Sequence, residues 1–233
     1  MLQVRQLNKH YGNTHAVNDL SFSIKKGEIL CLLGSNGAGK TTTLNILLGF
    51  IQASSGMAEL DGLDMYKQKD LCRKDLMYIP ENVHLYPSFT AIENITYLAE
   101  LSGLTLAPED IKSSLIRTGI TEQHINKKVG GFSKGMRQKV LIAFSLLKHA
   151  KLVLMDEPTS GLDPVATNEF IDVINNIKQR GTAVLIVTHD LLCAHELADQ
   201  IGIMKDGNLT ELIDNNNLSL PELTQHYFNQ FTA

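Results

Sequence analysis

Cysteine is scarce in this sequence, and the three present, Cys31, Cys72 and Cys193, stand far apart with no C-x-x-C pair. That excludes a zinc knuckle or a disulfide framework and leaves buried small hydrophobes in a reducing compartment as the expectation. An excess of positive charge is also missing: 21 basic residues face 25 acidic ones, a formal charge of -4. Nothing therefore draws the chain as a whole to nucleic acid, and no nucleic-acid partner is expected. Long apolar runs are absent too. The uncharged stretch from Thr41 to Ala58 is interrupted by Thr, Asn, Gln, Ser and Gly, and Met1-Leu2-Gln3-Val4-Arg5 opens without a signal-peptide core. No segment is expected to span a membrane, so any membrane role must run through a partner that does. The chain has no internal repeats. With 233 residues, 43% of them hydrophobic, it can bury the core of one large domain, or of one domain with an inserted subdomain.

Against these absences stands Gly34-Ser35-Asn36-Gly37-Ala38-Gly39-Lys40-Thr41, a match to G-x-x-x-x-G-K-[ST]. The apolar run Ile29 to Leu33 precedes it as a buried strand, and Leu44, Leu47, Leu48 and Ile51 come after it at the spacing of one helix face. Strand, glycine loop and helix thus occur in the order a polyphosphate site requires. Glycines let successive N–H groups turn toward phosphate, and the helix N-terminus adds its own donors and positive end. Lys40 would neutralise the β and γ phosphates, and the Thr41 hydroxyl would complete a Mg²⁺ shell.

Leu2 to Leu7 and Leu20 to Ile24 alternate as half-buried strands. Tyr11-Gly12 between them reads either as turn packing or as a ring to stack on a purine. Met57 to Leu60 leads to the hairpin pair Asp61-Gly62, the charged stretch Lys67 to Asp75 reads as a solvated helix or loop, and Leu76 to Ile79 as a strand stopped by Pro80. From Glu81 to about Gly131 strand signals vanish; the patterns at Ile92 to Leu101 and Pro108 to Thr118 predict an inserted helical subdomain. Leu152 to Met155, a helix from Pro164 to about Gln179, and Ala183 to Val187 form a β-α-β unit, hence a parallel sheet. A hairpin over Ile201 to Leu212 and a short helix near Pro221 to Phe228 close the chain.

The strand Leu152 to Met155 ends in Asp156-Glu157, and ligands of open α/β sheets bind outside the carboxyl ends of strands. Asp156 suits a role in organising Mg²⁺, and Glu157 a role in orienting or deprotonating an attacking water. Paired acids at a strand end are usually only solvated, and the glycine loop is the feature that raises these two above that. His189 comes just after Ala183 to Val187 and so emerges at the same edge. Ser133-Lys134-Gly135, ahead of the apolar helix of Val140, Phe144 and Leu147, reads as an N-cap serine or as a second anion site.

Together these residues resemble the nucleotide-binding subunit of ATP-binding cassette transporters. Gly34 to Thr41 is similar to its phosphate loop, Phe132-Ser133-Lys134-Gly135-Met136 to its signature, and Leu152 to Glu157 to its second nucleotide motif. Ser160-Gly161-Leu162-Asp163 is similar to its D-loop, His189 to its switch histidine, and Tyr11 stands at its adenine-stacking position. The signature departs from L-S-G-G-Q at Phe132, Lys134 and Met136, a variant resembling the branch that serves ABC-2-type permeases, mostly exporters. Glu81 stands where the family's loop glutamine contacts Mg²⁺.

The resemblance implies an α/β P-loop ATPase fold with a mainly parallel core sheet, an N-terminal antiparallel β-subdomain and an inserted α-helical subdomain. One domain over residues 1–233 is expected, with the helical insertion at about 81–150 and a short tail at 213–233. It implies ATP and Mg²⁺ as cofactors. Tyr11, Gly34, Ser35, Asn36, Gly37, Ala38, Gly39, Lys40, Thr41, Thr42, Glu81, Ser133, Gly135 and Asp163 would bind nucleotide; Thr41, Asp156 and Glu81 would hold the metal; Glu157, His189 and Lys40 would carry hydrolysis. A head-to-tail homodimer would place Ser133 and Gly135 of one copy against the γ phosphate held by Lys40 of the other. The implied partner is a separately encoded integral-membrane permease at the cytoplasmic face, met by the segment Glu81 to Thr96 with its cluster His84-Leu85-Tyr86-Pro87 and Phe89. The alternative is a soluble cassette ATPase acting on DNA or ribosomes, which usually carries a coiled-coil or zinc insertion or a second cassette, none of which is present here. A GTPase would need an N-K-x-D motif, which is absent.

Overall fold

The computed structural model describes residues 1–231. The chain opens with β1 (Leu2–Tyr11) and β2 (Thr14–Ile24), and β3 (Ile29–Gly34) then runs through the glycine loop into α1 (Lys40–Leu47). Next come β4 (Ser55–Leu60), β5 (Leu63–Asp64), α2 (Lys69–Asp75) and β6 (Leu76–Ile79). A helical block is next: α3 (Ala91–Leu101), α4 (Pro108–Arg117), α5 (Glu122–Ile125), a 3-10 turn at Val129–Gly131, and α6 (Lys134–Leu147). The remainder is β7 (Leu152–Asp156), α7 (Pro164–Gln179), β8 (Ala183–Thr188), α8 (Leu191–Leu197), β9 (Gln200–Lys205), β10 (Asn208–Asp214) and α9 (Leu220–Phe231).

The strands form two sheets. One is antiparallel, in the order β2-β1-β4-β5; the other has six strands in the order β10-β9-β3-β8-β7-β6. Within the larger sheet β9, β3, β8, β7 and β6 are mutually parallel, and β10 runs antiparallel, paired to β9. The central strands are buried on both faces, and this is why they read as unbroken apolar runs. Their alternate residues serve two different cores. Ile29, Cys31 and Leu33 of β3, Val153 and Met155 of β7, and Val184 and Ile186 of β8 pack with the helical block and with α7 and α8. Leu30, Leu32, Leu152, Leu154, Leu185 and Val187 face the other way, toward α1 and the antiparallel sheet. Each large side chain buried this way contributes about 1.5–3 kcal/mol.

Helix starts reflect local chemistry. Thr90 and Glu93 form a reciprocal capping box on α3, Pro108 occupies the first turn of α4, and the Asp163 carboxylate accepts from the Ala166 N–H at 2.9 Å ahead of Pro164. The left-handed pairs Asp61-Gly62 and Asp206-Gly207 close the two expected hairpins.

Several expectations are corrected. Ile51 is not on the first helix: α1 ends at Leu47, and Gly49 turns the chain at φ +67° where a Cβ would lie 2.7 Å from the Met65 carbonyl. β1 and β2 are longer than the alternation of Leu2 to Leu7 and Leu20 to Ile24 suggests. Register shifts interrupt the period of two, and Gln6 and Asp19 have positive φ there. The charged stretch Lys67 to Asp75 is, as expected, largely a solvated helix, α2, with Cys72 its buried residue. The short helices α5 and α8 carried no periodic signal, having four and seven residues. α9 runs to Phe231, past the expected end, and the last two residues of the expected tail lie outside the described residues. All three cysteines are buried free thiols, as expected; burial first, then neighbouring negative groups, pushes the Cys193 thiol up to about 12.

Because Leu154 is fully buried in a strand closed on both faces, Leu154→Ala is expected to cost about 2–5 kcal/mol. A urea melt checks this as a lower midpoint with an unchanged slope.

Candidate nucleotide site

The carboxyl ends of β3, β8, β7 and β6 all point to one edge, and the register brings their terminal residues side by side. Leu33 pairs with Thr188, Asp156 with Val187, and Ile79 with Met155. The residues just past each strand are therefore delivered to one place: the glycine loop, Glu157, His189 and Glu81.

A cavity of about 270 Å³ opens there, lined by Ala16, Ser35 to Thr42, Glu81, Asp156 and Glu157. Its floor is the glycine loop. Gly39 adopts φ +100°, and a Cβ there would sit 2.4 Å from the Ala16 carbonyl, so only glycine lets the loop press against β2. Gly37 is also left-handed, at φ +85°, with open space where a side chain would be. Gly39 is the N-cap of α1, and among the described residues no side chain caps that helix. The N–H groups of its first turn are thus left to an incoming anion, which the helix dipole also favours.

Lys40 is 7% exposed and arches back over the loop. Its ammonium donates to the Gly34 carbonyl at 2.6 Å and the Ser35 carbonyl at 3.2 Å, and lies 3.7 Å from Glu157 Oε1. Burial holds its pKa below the ordinary lysine value, against the opposing pull of Glu157 and Asp156.

Glu157 sits at φ +43°, an uncommon backbone for a residue with a side chain and one that marks stored strain. Three groups fix its carboxylate: the Thr188 hydroxyl donates to Oε2 at 2.9 Å, the His189 N–H at 3.2 Å, and the His189 ring Nδ1 lies 2.9 Å away. The carboxyl pKa of Asp156 is raised by burial first, then by the negative charges of Glu157 and Glu81, with Lys40 opposing. Tyr78 beside it has its phenol pushed up to about 12, by burial first and then by Asp156.

The expected residues divide into two groups. Gly34 to Thr42, Glu81, Asp156, Glu157 and His189 are brought together. Tyr11 is not among the residues lining the cavity: it is 52% exposed at the end of β1, with the Lys9 ammonium 5.0 Å from its ring centre. Ser133 and Gly135 also lie outside the lining. Ser133 is the N-cap of α6, accepting from the Met136 N–H at 3.2 Å, and Gly135 faces Leu162 and Ala166. Asp163 caps α7 and does not line the cavity. Glu81 accepts from the Ser160 hydroxyl at 3.2 Å and stands 3.9 Å from Lys134 Nζ. Ala16, Tyr78 and Thr188 were missed by sequence reasoning. Thr188 carried a usable signal, since it ends an apolar strand directly before His189; Ala16 and Tyr78 carried none.

The cluster around His84 to Phe89 is a real surface feature. Tyr86 is half exposed, stacked 5.3 Å from Phe89 and edge-on to Tyr97 at 4.9 Å. Beside it runs a groove of about 340 Å³ lined by Asn82, Val83, His84, Leu85, Pro87, Val129, Lys134 and Arg137. Among the described residues no helix is long and apolar enough to cross a membrane.

The family model described as ABC transporter matches residues 17–160, which span the glycine loop, Glu81, the segment around Ser133 and both acids. The bacitracin transport ATP-binding protein BcrA of Bacillus licheniformis is 37% identical, over 91% of this chain and 69% of its own length. The linearmycin resistance ATP-binding protein LnrL of Bacillus subtilis (strain 168) is 33% identical, over 90% of this chain and 68% of its own. Among solved structures, an ATP-binding subunit of an ABC transporter superposes with a TM-score of 0.82 at 29% identity, covering 98% of this chain and 99% of that one. The cbiO1 protein of Clostridium perfringens, described as part of the ABC transporter complex cbiONQ, gives 0.84 at 26% identity over 99% and 93%. A likeness that runs through the loop, the acids and nearly the whole fold has one meaning: this chain belongs to the ABC transporter family, as an ATP-binding subunit that is an ATPase.

Proposed function

We propose that this chain powers a separately encoded ABC-2-type permease, an exporter, from the cytoplasmic face of the membrane by binding and hydrolysing ATP. The observation that carries the reading is the convergence in one cavity of an uncapped phosphate loop, a buried lysine and a held pair of acids. Export is supported by the relatives named for bacitracin transport and linearmycin resistance.

In this reading the loop N–H groups and Lys40 cradle the β and γ phosphates, and Tyr11 takes the adenine. The donors present fit Mg²⁺, a hard cation that usually takes one or two carboxylates, waters and substrate oxygens. Thr41, Asp156 and Glu81 supply such oxygens in the lining. Among the described residues no group of three or more His, Cys, Asp or Glu side chains would hold a metal unaided, as befits a cation that shares its shell with phosphate. The metal supplies charge neutralisation at the phosphates. Glu157, oriented by His189 and Thr188, accepts a proton from the water that attacks the γ phosphorus in line while the bond to the β–γ bridging oxygen breaks.

Ser133 and Gly135 lie away from their own cavity, which supports their use on a second copy in a head-to-tail dimer. Closure would then assemble the site and hydrolysis release it. The helical block at about 81–150 acts as a subdomain whose groove, beside Tyr86 and Phe89, receives the permease.

Co-purification from membranes with an integral protein is the expected outcome; nucleic-acid-stimulated hydrolysis without such a protein would favour the soluble alternative. Glu157→Gln should retain ATP binding while turnover falls by about 10²–10⁴-fold, measured as phosphate release, with a longer-lived dimer on size exclusion. Lys40→Ala should instead weaken nucleotide binding itself, as read by titration calorimetry.

Asp156→Asn has an expected sign of its own. A carboxyl pKa raised by folding means the native state binds the proton more tightly than the unfolded chain, so the charged form costs stability at neutral pH. That cost disappears as the pH falls through the raised value. The nucleotide-free variant should therefore melt higher than the parent at neutral pH, with the difference closing in acid, while losing Mg²⁺-dependent nucleotide affinity.

A further inference from the structure

The amino ends of β3, β7 and β8 lie at the edge opposite the nucleotide site, and a cavity of about 710 Å³ opens beside them. Its walls are tied to one another by hydrogen bonds. The Gly27 N–H, in the turn before β3, donates to the Gly181 carbonyl at 3.1 Å, so Lys26 and Arg180 each stand one residue from that bond. The Thr182 hydroxyl donates to the Ala150 carbonyl at 3.2 Å and the Ala183 N–H to the Lys151 carbonyl at 2.9 Å, which joins the same turn to His149, just past α6. Buried Ser114 donates to the Ala143 carbonyl of α6 at 2.9 Å and so fixes α4, the helix that ends in Arg117. The cavity is therefore formed before anything enters it.

Its charge is the reverse of the chain's. The protein has a formal charge of -4, yet Lys26, Arg117, His149 and Arg180 all line this cavity, and among the described residues none of their side chains has a hydrogen-bond or ion-pair partner. Lys151, also in the wall, is held by Asp75 at 2.8 Å and Asp61 at 3.4 Å and adds no free charge. The one carboxylate among the described residues of the wall is Asp110, two turns before Arg117 on α4 and about 10 Å from it along the helix axis. Cations at the ends of α4 and α7 also offset the helix dipoles, a contribution of about 0.3–1 kcal/mol each. That role accounts for Arg117 and Arg180 singly. It does not account for Lys26, which comes from a turn between strands, or for the gathering of all four around one hollow.

We propose that this cavity binds a small polyphosphorylated anion at a site separate from the nucleotide cavity. The guanidinium groups of Arg117 and Arg180 are planar forks that match phosphate oxygens, and Lys26 adds a point charge. The Ser113 hydroxyl, without a partner among the described residues, supplies a further donor. Leu106, Leu146 and Leu147 line the same space and give an organic group attached to the phosphates an apolar bed, while Asp110 accepts from its hydroxyls. The volume is that of a small-molecule site. The bound anion spans α4 of the helical block and the turns before β3 and β8.

The test is calorimetric titration of the full chain with inorganic tripolyphosphate, in a Lys40→Ala background so that the glycine loop does not compete for the probe. Arg117→Gln and Arg180→Gln should each weaken binding about 10-fold, and the two together should abolish it. Lys112→Gln removes a charge of the same sign from α4 outside the cavity, where Lys112 pairs with Glu122 at 3.4 Å, and should change nothing. With Lys40 intact, neither arginine substitution should alter ATP affinity, since neither residue lines the nucleotide cavity. Thermal melts without the probe confirm that the variants fold, and tripolyphosphate should raise the melting temperature of the Lys40→Ala chain but not of the chain that also lacks both arginines. Absence of binding in the Lys40→Ala chain, or an equal loss with Lys112→Gln, would overturn the site. So would a poly-glutamate peptide or phosphatidylglycerol vesicles that bind through Arg117 and Arg180 where tripolyphosphate does not. The ATPase reading stands in each of these cases.

Discussion

The parallel pairing of β3, β8, β7 and β6 is the constraint on which the rest of the molecule depends. Parallel strands put their carboxyl ends on one side, and four consecutive neighbours do so here with their last residues in register. Each strand end contributes a different function: a loop of N–H donors, a pair of acids, a histidine, a third carboxylate. None of these groups is near another in sequence. A slip of one register step would move an acid away from the loop and would also turn every alternate side chain toward the wrong core.

Much of this was legible in the sequence, and the reasons are physical. Strands buried on both faces must be continuously apolar, so β3, β7 and β8 announced themselves, and the residue just after each had to lie at the active edge. The glycine loop was legible because Gly39 cannot be anything else with Ala16 pressed against it. The antiparallel sheet was less legible, since the register shifts near Gln6 and Asp19 break the alternation by which such strands are read. Tyr78 and Ala16 reach the site only through tertiary packing, which leaves no local pattern. Lys134 and Glu81 come from opposite ends of the helical block, and each residue alone looked like a departure from a motif rather than half of a contact.

The site itself is held in an uncomfortable state. Glu157 occupies a left-handed backbone, Asp156 is half-buried beside two other carboxylates, and Lys40 is pulled out of water. Such tension persists only because the surrounding sheet over-determines it. The two cores behind β3, β7 and β8 supply that rigidity, and the polar contacts of Thr188 and His189 direct part of it into aiming one carboxylate.

The bare N-terminus of α1 carries a consequence of a different kind. With glycine at the N-cap this helix lacks only about a few tenths of a kcal/mol relative to a serine or aspartate cap, but its first N–H groups have no side-chain acceptor, and phosphate oxygens supply one. Nucleotide is in that sense a structural part of the chain. By mass action the folded population rises with nucleotide concentration relative to its dissociation constant.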